Sequence, residues 1–358
     1  MKKTIFLLSV AALMVAASCT KIETATPDQE ITFSVANYSA QTRAGEASLL
    51  DENINSFKCK AYMVGEGVQT VQDFFGTAGE TISWNATNTV WAPSHTYYWP
   101  KSANSYVNFF SWYDTGNGPA VTNGTMKWEN RVIGTGDNIM YADPAWRFKQ
   151  NNNPATYTTV DGVAEGVPTL FHHALSQVEF RVYASELEQS GLVTWTVKLT
   201  GIELKVNNKG TLSLTATEPT SGNNIKGTWD GTPAWVASGD KGNIMPTTFN
   251  VTATSATADA AKLLANQSVL PQDLTGVNLV FKLDITTTYA AGETNQEVIA
   301  YSIPLAAAVA DGGFNTAKWD LNTKYIYTIK ISPSTNEVLF DPAVETAWTV
   351  VDAGQKEL

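Results

Sequence analysis

The scarce side chains able to do chemistry in this 358-residue chain are three histidines, His95, His172 and His173, and two cysteines, Cys19 and Cys59. His172 and His173 are adjacent and stand just before a strand-like run, so in extended chain their side chains point to opposite faces. That is poor geometry for one metal, no Cys or His-x-His partner is near, and no metal site is expected. Neither a Gly-x-Ser-x-Gly elbow, a Gly-x-Gly-x-x-Gly turn nor a P-loop lysine occurs in the sequence, so the common hydrolase and nucleotide sites have no footing. Asp137, Asp143 and Asp161 fall in loops at spacings unlike an EF-hand, which makes them turn residues. Eleven Trp and thirteen Tyr are enough to stack sugars beside a carboxylate pair. Most, however, lie in strand-like runs such as Trp91, Tyr97-Tyr98-Trp99 and Tyr106 to Tyr113, where sheet packing accounts for them. No catalytic residue and no cofactor are expected.

The first 43 residues read as a processing programme. Lys2 and Lys3 form a basic start, Ile5 to Val15 an apolar stretch, and Ala16-Ala17-Ser18-Cys19 a run of small residues ending in cysteine. The stretch is too short to stay in a bilayer as a spanning helix, so residues 1–18 form an export signal. Cleavage before Cys19 followed by acylation of its sulfur is the expected fate. Ala16 stands where a lipoprotein signal prefers Leu, and cleavage near Ala17 with a plain thiol at Cys19 is the alternative. Residues 19–43 then carry a Thr-rich tether, a strand-like segment Ile31-Thr32-Phe33-Ser34-Val35 and a basic peptide bond, Arg43–Ala44. In Phe57 to Val64 alternation puts Cys59 on one face with Phe57 and Ala61, a buried thiol. With Cys19 acylated it has no disulfide partner.

These features hang on strands. Short segments rich in β-branched and aromatic residues recur, among them Thr81 to Trp84, Val178 to Tyr183, Trp195 to Leu199, Leu279 to Ile285, Val298 to Ile303 and Tyr325 to Ile331. Gly, Asn, Asp and Pro clusters separate them, the signature of antiparallel sandwiches. Asn207-Asn208-Lys209-Gly210 suits a hairpin turn between Ile202–Val206 and Thr211–Leu214. Ala184 to Ser190 and Ala260 to Ala265 are expected as short helices or turns. Length favours two domains, placed at 44–188 and 189–358. The formal charge of −11 becomes −13 once Lys2 and Lys3 leave, which argues against nucleic acid or an anionic membrane surface as partner.

Several segments in order carry a resemblance: Ile31 to Val35 with Thr42-Arg43-Ala44, Tyr97-Tyr98-Trp99-Pro100, Val107 to Tyr113, and Asp137 to Ala142. Leu170 to Ser176, Leu270-Pro271-Gln272, Trp319 to Tyr325 and Trp348 complete it. The chain resembles the fimbrillin-like (Mfa-like) lipoproteins, subunits of type V pili, nearly end to end. The resemblance implies an all-β fold of two tandem transthyretin-like, Greek-key sandwiches. It also implies a lipidated precursor anchored at Cys19 in the outer membrane, and trimming by an arginine-specific surface protease at Arg43–Ala44. Assembly with other fimbrial subunits at the cell surface, in the service of adhesion, follows from it. A strand bearing Ile31, Phe33 and Val35, once removed, would leave an edge for another subunit's strand. The candidate donor runs from Val338 to Val351, with Leu339, Trp348 and Val350 as groove-filling side chains. The alternative is a non-polymerising surface lipoprotein that binds glycan or host protein.

Overall fold

The computed structural model describes residues 30–37, 54–65, 71–87, 90–102, 104–149, 166–239, 241–245, 250–254, 257, 259–307 and 317–347. Among them the fold is all-β, with a single 3-10 turn at Leu305–Ala307. The main strands of the first half are β1 (Phe33–Asn37), β2 (Ser56–Gly65), β3 (Glu80–Asn85), β4 (Val90–Pro93), β5 (Ser105–Asp114), β6 (Thr125–Val132), β7 (Ile139–Ala142) and β8 (Val167–His173). Those of the second are β9 (Ser176–Ala184), β10 (Val193–Asn207), β11 (Lys209–Thr215), β12 (Trp235–Ala237), β13 (Asn250–Ala253) and β14 (Lys262–Val269). β15 (Asn278–Tyr289), β16 (Thr294–Pro304), β17 (Thr323–Ser332) and β18 (Glu337–Ala347) complete the set.

Seven strands of the first half close on themselves in the order β1-β8-β7-β5-β2-β3-β4 and back to β1. The interior holds Phe57, Cys59 and Ala61 of β2, Val107 and Phe109 of β5, Ile82, Trp91 and Phe171. Cys59 is fully buried, and burial pushes its thiol up to about 12. Closure is a departure from the expected open sandwich, and it removes sheet edges within the ring. So is the direction of two pairs: β1 runs parallel to β8, and β9 runs parallel to β17. Parallel neighbours need a long crossover, and both pairs join strands far apart in sequence, where no turn signal marks them.

The run Ser105 to Trp112 is buried at every position, because β5 is covered on both sides. Val107 and Phe109 face the ring interior, while Phe110 and Trp112 face a second cluster with Trp128, Trp146, Trp229 and Trp235. That outer cluster is roofed by a sheet of β12, β11, β6 and the short strand Ala120–Thr122. β6 comes from before the ring is complete and β11 from well after it, so this sheet ties the two halves together.

β9 leaves the ring two residues after β8 and enters a sheet β14-β9-β17-β18. It faces β10, β15 and β16, with β13 on the other side of β10, across a core of Val178, Phe180, Leu199, Phe281, Leu283, Tyr327 and Ile329. The expected boundary at 188 therefore falls inside this second assembly, where Glu188 pairs with Thr194. The hairpin expected around Asn207–Gly210 does not form: β10 pairs with β13 and β15, whereas β11 pairs with β6 and β12. Hydrophobic partitioning decides it, since Leu204 and Val206 go to one core and Leu212 and Leu214 to another. Residues 262–265, expected as helix or turn, belong to strand β14.

Candidate functional site: the seat of the leading strand

Alternation puts Ile31, Phe33 and Val35 on one side of the leading segment, and their relative exposures are 1%, 4% and 2%. Phe33 lies edge-on to Phe57 at 5.9 Å and to Phe109 at 5.7 Å between ring centroids. Burying three such side chains contributes about 1.5–3 kcal/mol each, so the segment is a structural member of the ring. Its backbone is held on both sides. β1 follows β8 from Phe33 opposite Val167 to Asn37 opposite Phe171, and Phe33 also pairs with Trp91 of β4. The Val167 N–H donates to the Thr32 carbonyl at 2.7 Å, and the Ile31 N–H to the Tyr97 carbonyl at 2.8 Å. A bridge between Glu30 and Tyr98 extends the contact.

Two further residues make the seat possible. A Cβ on Gly166 would come within 2.4 Å of the Phe33 backbone, so only glycine lets the chains approach at this point. The other is Glu80, 7% exposed, which accepts from the Tyr97 hydroxyl at 2.9 Å and from Ser94 Oγ, with His95 Nδ1 at 2.9 Å. Burial raises the Glu80 carboxyl, and the hydrogen bonds from Ser94, Tyr97 and His95 outweigh it, leaving the group below the usual carboxylate range. The Tyr97 ring also packs on Phe75 at 4.5 Å. Glu80 thus fixes the strap that receives the Ile31 amide.

Ser94, His95 and Glu80 have the residue types of a hydrolytic triad but not its wiring. His95 presents the same nitrogen, Nδ1, to Ser94 and to Glu80, and Ser94 already donates to the carboxylate. A relay needs the two ring nitrogens on different partners. His172 and His173 do point apart. His172 Nε2 meets Asp143 at 3.0 Å over a stacked Tyr141 ring, whereas buried His173 meets Asn138 at 3.1 Å. Asp137 caps Gly134 and pairs with Arg131, and Asp161 lies outside the described residues. No group of three metal-ligating side chains occurs among the described residues. A cleft of about 310 Å³ beside Phe57, Thr81 and Trp112 includes Asp114 in its lining. That carboxylate is already spent on Gly116, Trp128 and Arg131.

Of the candidate donor residues, Leu339 is on β18, the edge of its sheet, 45% exposed and opposite Lys330. Trp348 and Val350 lie outside the described residues, as do Cys19, Arg43 and Ala44. Sequence reading missed Gly166, Glu80, Tyr97 and Trp91. Only Gly166, set against the strand-like Val167 to His173, carried a signal, that of close backbone approach.

The fimbrillin-like family matches residues 42–346. The chain belongs to that family. This fimbrillin-like chain is also similar to a fimbrial protein from Bacteroides vulgatus, at 14% identity and a TM-score of 0.49, over 89% of this chain and 99% of that one. A second similar structure is the fimbrial anchor protein Mfa2 from Porphyromonas gingivalis, at 12% identity and a TM-score of 0.31, over 89% and 98%. No curated protein sequence matches it.

Proposed function

We propose that the chain is a structural subunit of a type V fimbria, made as an outer-membrane lipoprotein acylated at Cys19 and serving adhesion. An arginine-specific protease cuts after Arg43, the leading strand departs, and another subunit's strand takes its place. The fimbrillin-like family supports the subunit role. One observation carries the rest: β1 is an internal strand of a closed ring, paired with β8 and β4, yet it comes before Arg43 in the chain. Its loss would unpair two strand edges at once and empty the places of three apolar side chains, a vacancy that favours β-augmentation. The donor is the end of the chain from Val338 to Val351, whose β18 pairs with β17 alone among the described residues. In this reading the chain has two units, the ring with its outer cluster, to which β11 and β12 return, and the second core that β9 enters.

The glycan-binding alternative draws no support from the described tryptophans, none of which is exposed. Replacing Arg43 with Ala tests the proposal. The expected result is a folded precursor that is neither trimmed nor polymerised; polymers as abundant as those of the unaltered chain would overturn it.

A further inference from the structure

We propose that the seat of β1 selects its later occupant by a hydrogen-bond acceptor offered to Trp91, an inference that rests on the replacement of β1 described above. The buried indoles of Trp128, Trp229, Trp235 and Trp319 donate to Asp114, Ala142, Ala174 and Tyr327 respectively. Trp91 is as deeply buried, at 1% exposure, but its Nε1 makes no hydrogen bond. It stands directly across from Phe33 in the β4–β1 register, packed against Phe57 at 5.6 Å and Trp84 at 5.9 Å.

The inward side chains of the leading segment are Ile31, just ahead of β1, and Phe33 and Val35 within it, all hydrocarbon. Directly opposed residues have Cβ atoms about 5 Å apart and diagonal ones about 7–8 Å, so by register these three positions are the ones on the leading segment nearest to Trp91. The leading strand therefore fills the seat by shape and leaves its one polar demand unmet. An unmade hydrogen bond on a buried donor is a standing penalty that an occupant with an oxygen acceptor removes.

The occupant is an extended strand from a second copy, with apolar side chains at alternate positions and one oxygen among them. Residues 344–350 of this chain have that composition, with Val344, Thr346, Trp348 and Val350 at alternate positions of the sequence; to serve as the occupant, residues 344–347 leave their pairing with β17. A Thr hydroxyl can accept, and Thr346 supplies it. Relieving the orphaned N–H favours this strand over an all-hydrocarbon one on the order of tenfold in affinity.

The test cuts the full chain at Arg43 in the presence of labelled peptide 342–352, either unaltered or with Thr346→Val. Roughly tenfold better capture of the unaltered peptide is expected, with the difference lost in a Trp91→Phe chain. Equal capture of the two peptides overturns the acceptor while leaving strand replacement intact. Capture of neither after cutting overturns both. A second arm needs no cutting and no change at Trp91: Ile31→Thr and Val35→Thr are made separately in the intact chain. One of the two is expected to move the Trp91 indole proton downfield in NMR and slow its exchange; no movement with either overturns the proposal.

Discussion

Gly166 and Phe33 are in backbone contact: an added Cβ on the glycine would sit 2.4 Å from the carbonyl carbon, 2.6 Å from the Cα and 2.7 Å from the nitrogen of Phe33. Backbone on both sides leaves nothing flexible to give way. Gly166→Ala is expected to push β1 from β8, lowering stability by about 1–3 kcal/mol and speeding exchange of the Ile31 and Val167 amides. Gly134→Ala is the control, since the nearest atom to its added carbon is 3.9 Å away. Both are read by denaturant unfolding and hydrogen exchange.

Phe33→Ala removes the ring that meets Phe57, Phe75 and Phe109. The expected loss is about 3–5 kcal/mol in urea unfolding of the intact chain. A loss within experimental error would mean that the leading strand is dispensable to the ring.

Glu80→Gln keeps the shape of the side chain and removes one of two carboxylate oxygens from a site that serves Ser94, His95 and Tyr97. A loss of about 1–3 kcal/mol is expected, together with faster exchange at Ile31, whose amide depends on the Tyr97 carbonyl. His95→Ala, at a side chain 77% exposed, should change stability by no more than about 0.5 kcal/mol.

His173 gives the pH dependence a definite sign. Burial, then the neighbouring His172, pulls its pKa from 6.5 to about 3. Between those values the unfolded chain binds a proton that the folded chain does not, so stability falls as pH drops through this window. The Glu80 contribution is lost at the lower end, as pH falls through its depressed pKa. His173→Gln should flatten the dependence from pH 6.5 down to 3, removing a slope worth on the order of a few kcal/mol. Unfolding free energies measured at intervals across that range check it.

The strands and much of the core were legible because alternation is local. Phe57, Cys59 and Ala61 share an interior, and Ile31, Phe33 and Val35 face inward, as period two requires. Ring closure was not legible, because it depends on β1 meeting β8, strands separated by most of the first half and joined by no turn. The turn chemistry at Asn207–Gly210 misled for a related reason: a local preference for a hairpin was overridden by two distant cores competing for Val206 and Leu212. Of the candidate site, the leading strand could be read but its clasp could not. Glu80 looks like a surface residue and Tyr97 like a sheet-packing aromatic until the fold joins them and sets the Tyr97 carbonyl on the Ile31 amide, and Trp91 looks like any core aromatic until its N–H is followed to no acceptor.

The most direct measurement of the central claim is mass spectrometry of subunits taken from assembled fibres. Chains beginning at Ala44, with residues 30–37 absent and a second copy's C-terminal segment cross-linked beside Val167 and Trp91, are the expected result. Fibres whose subunits still carry residues 30–37 in the ring would contradict it.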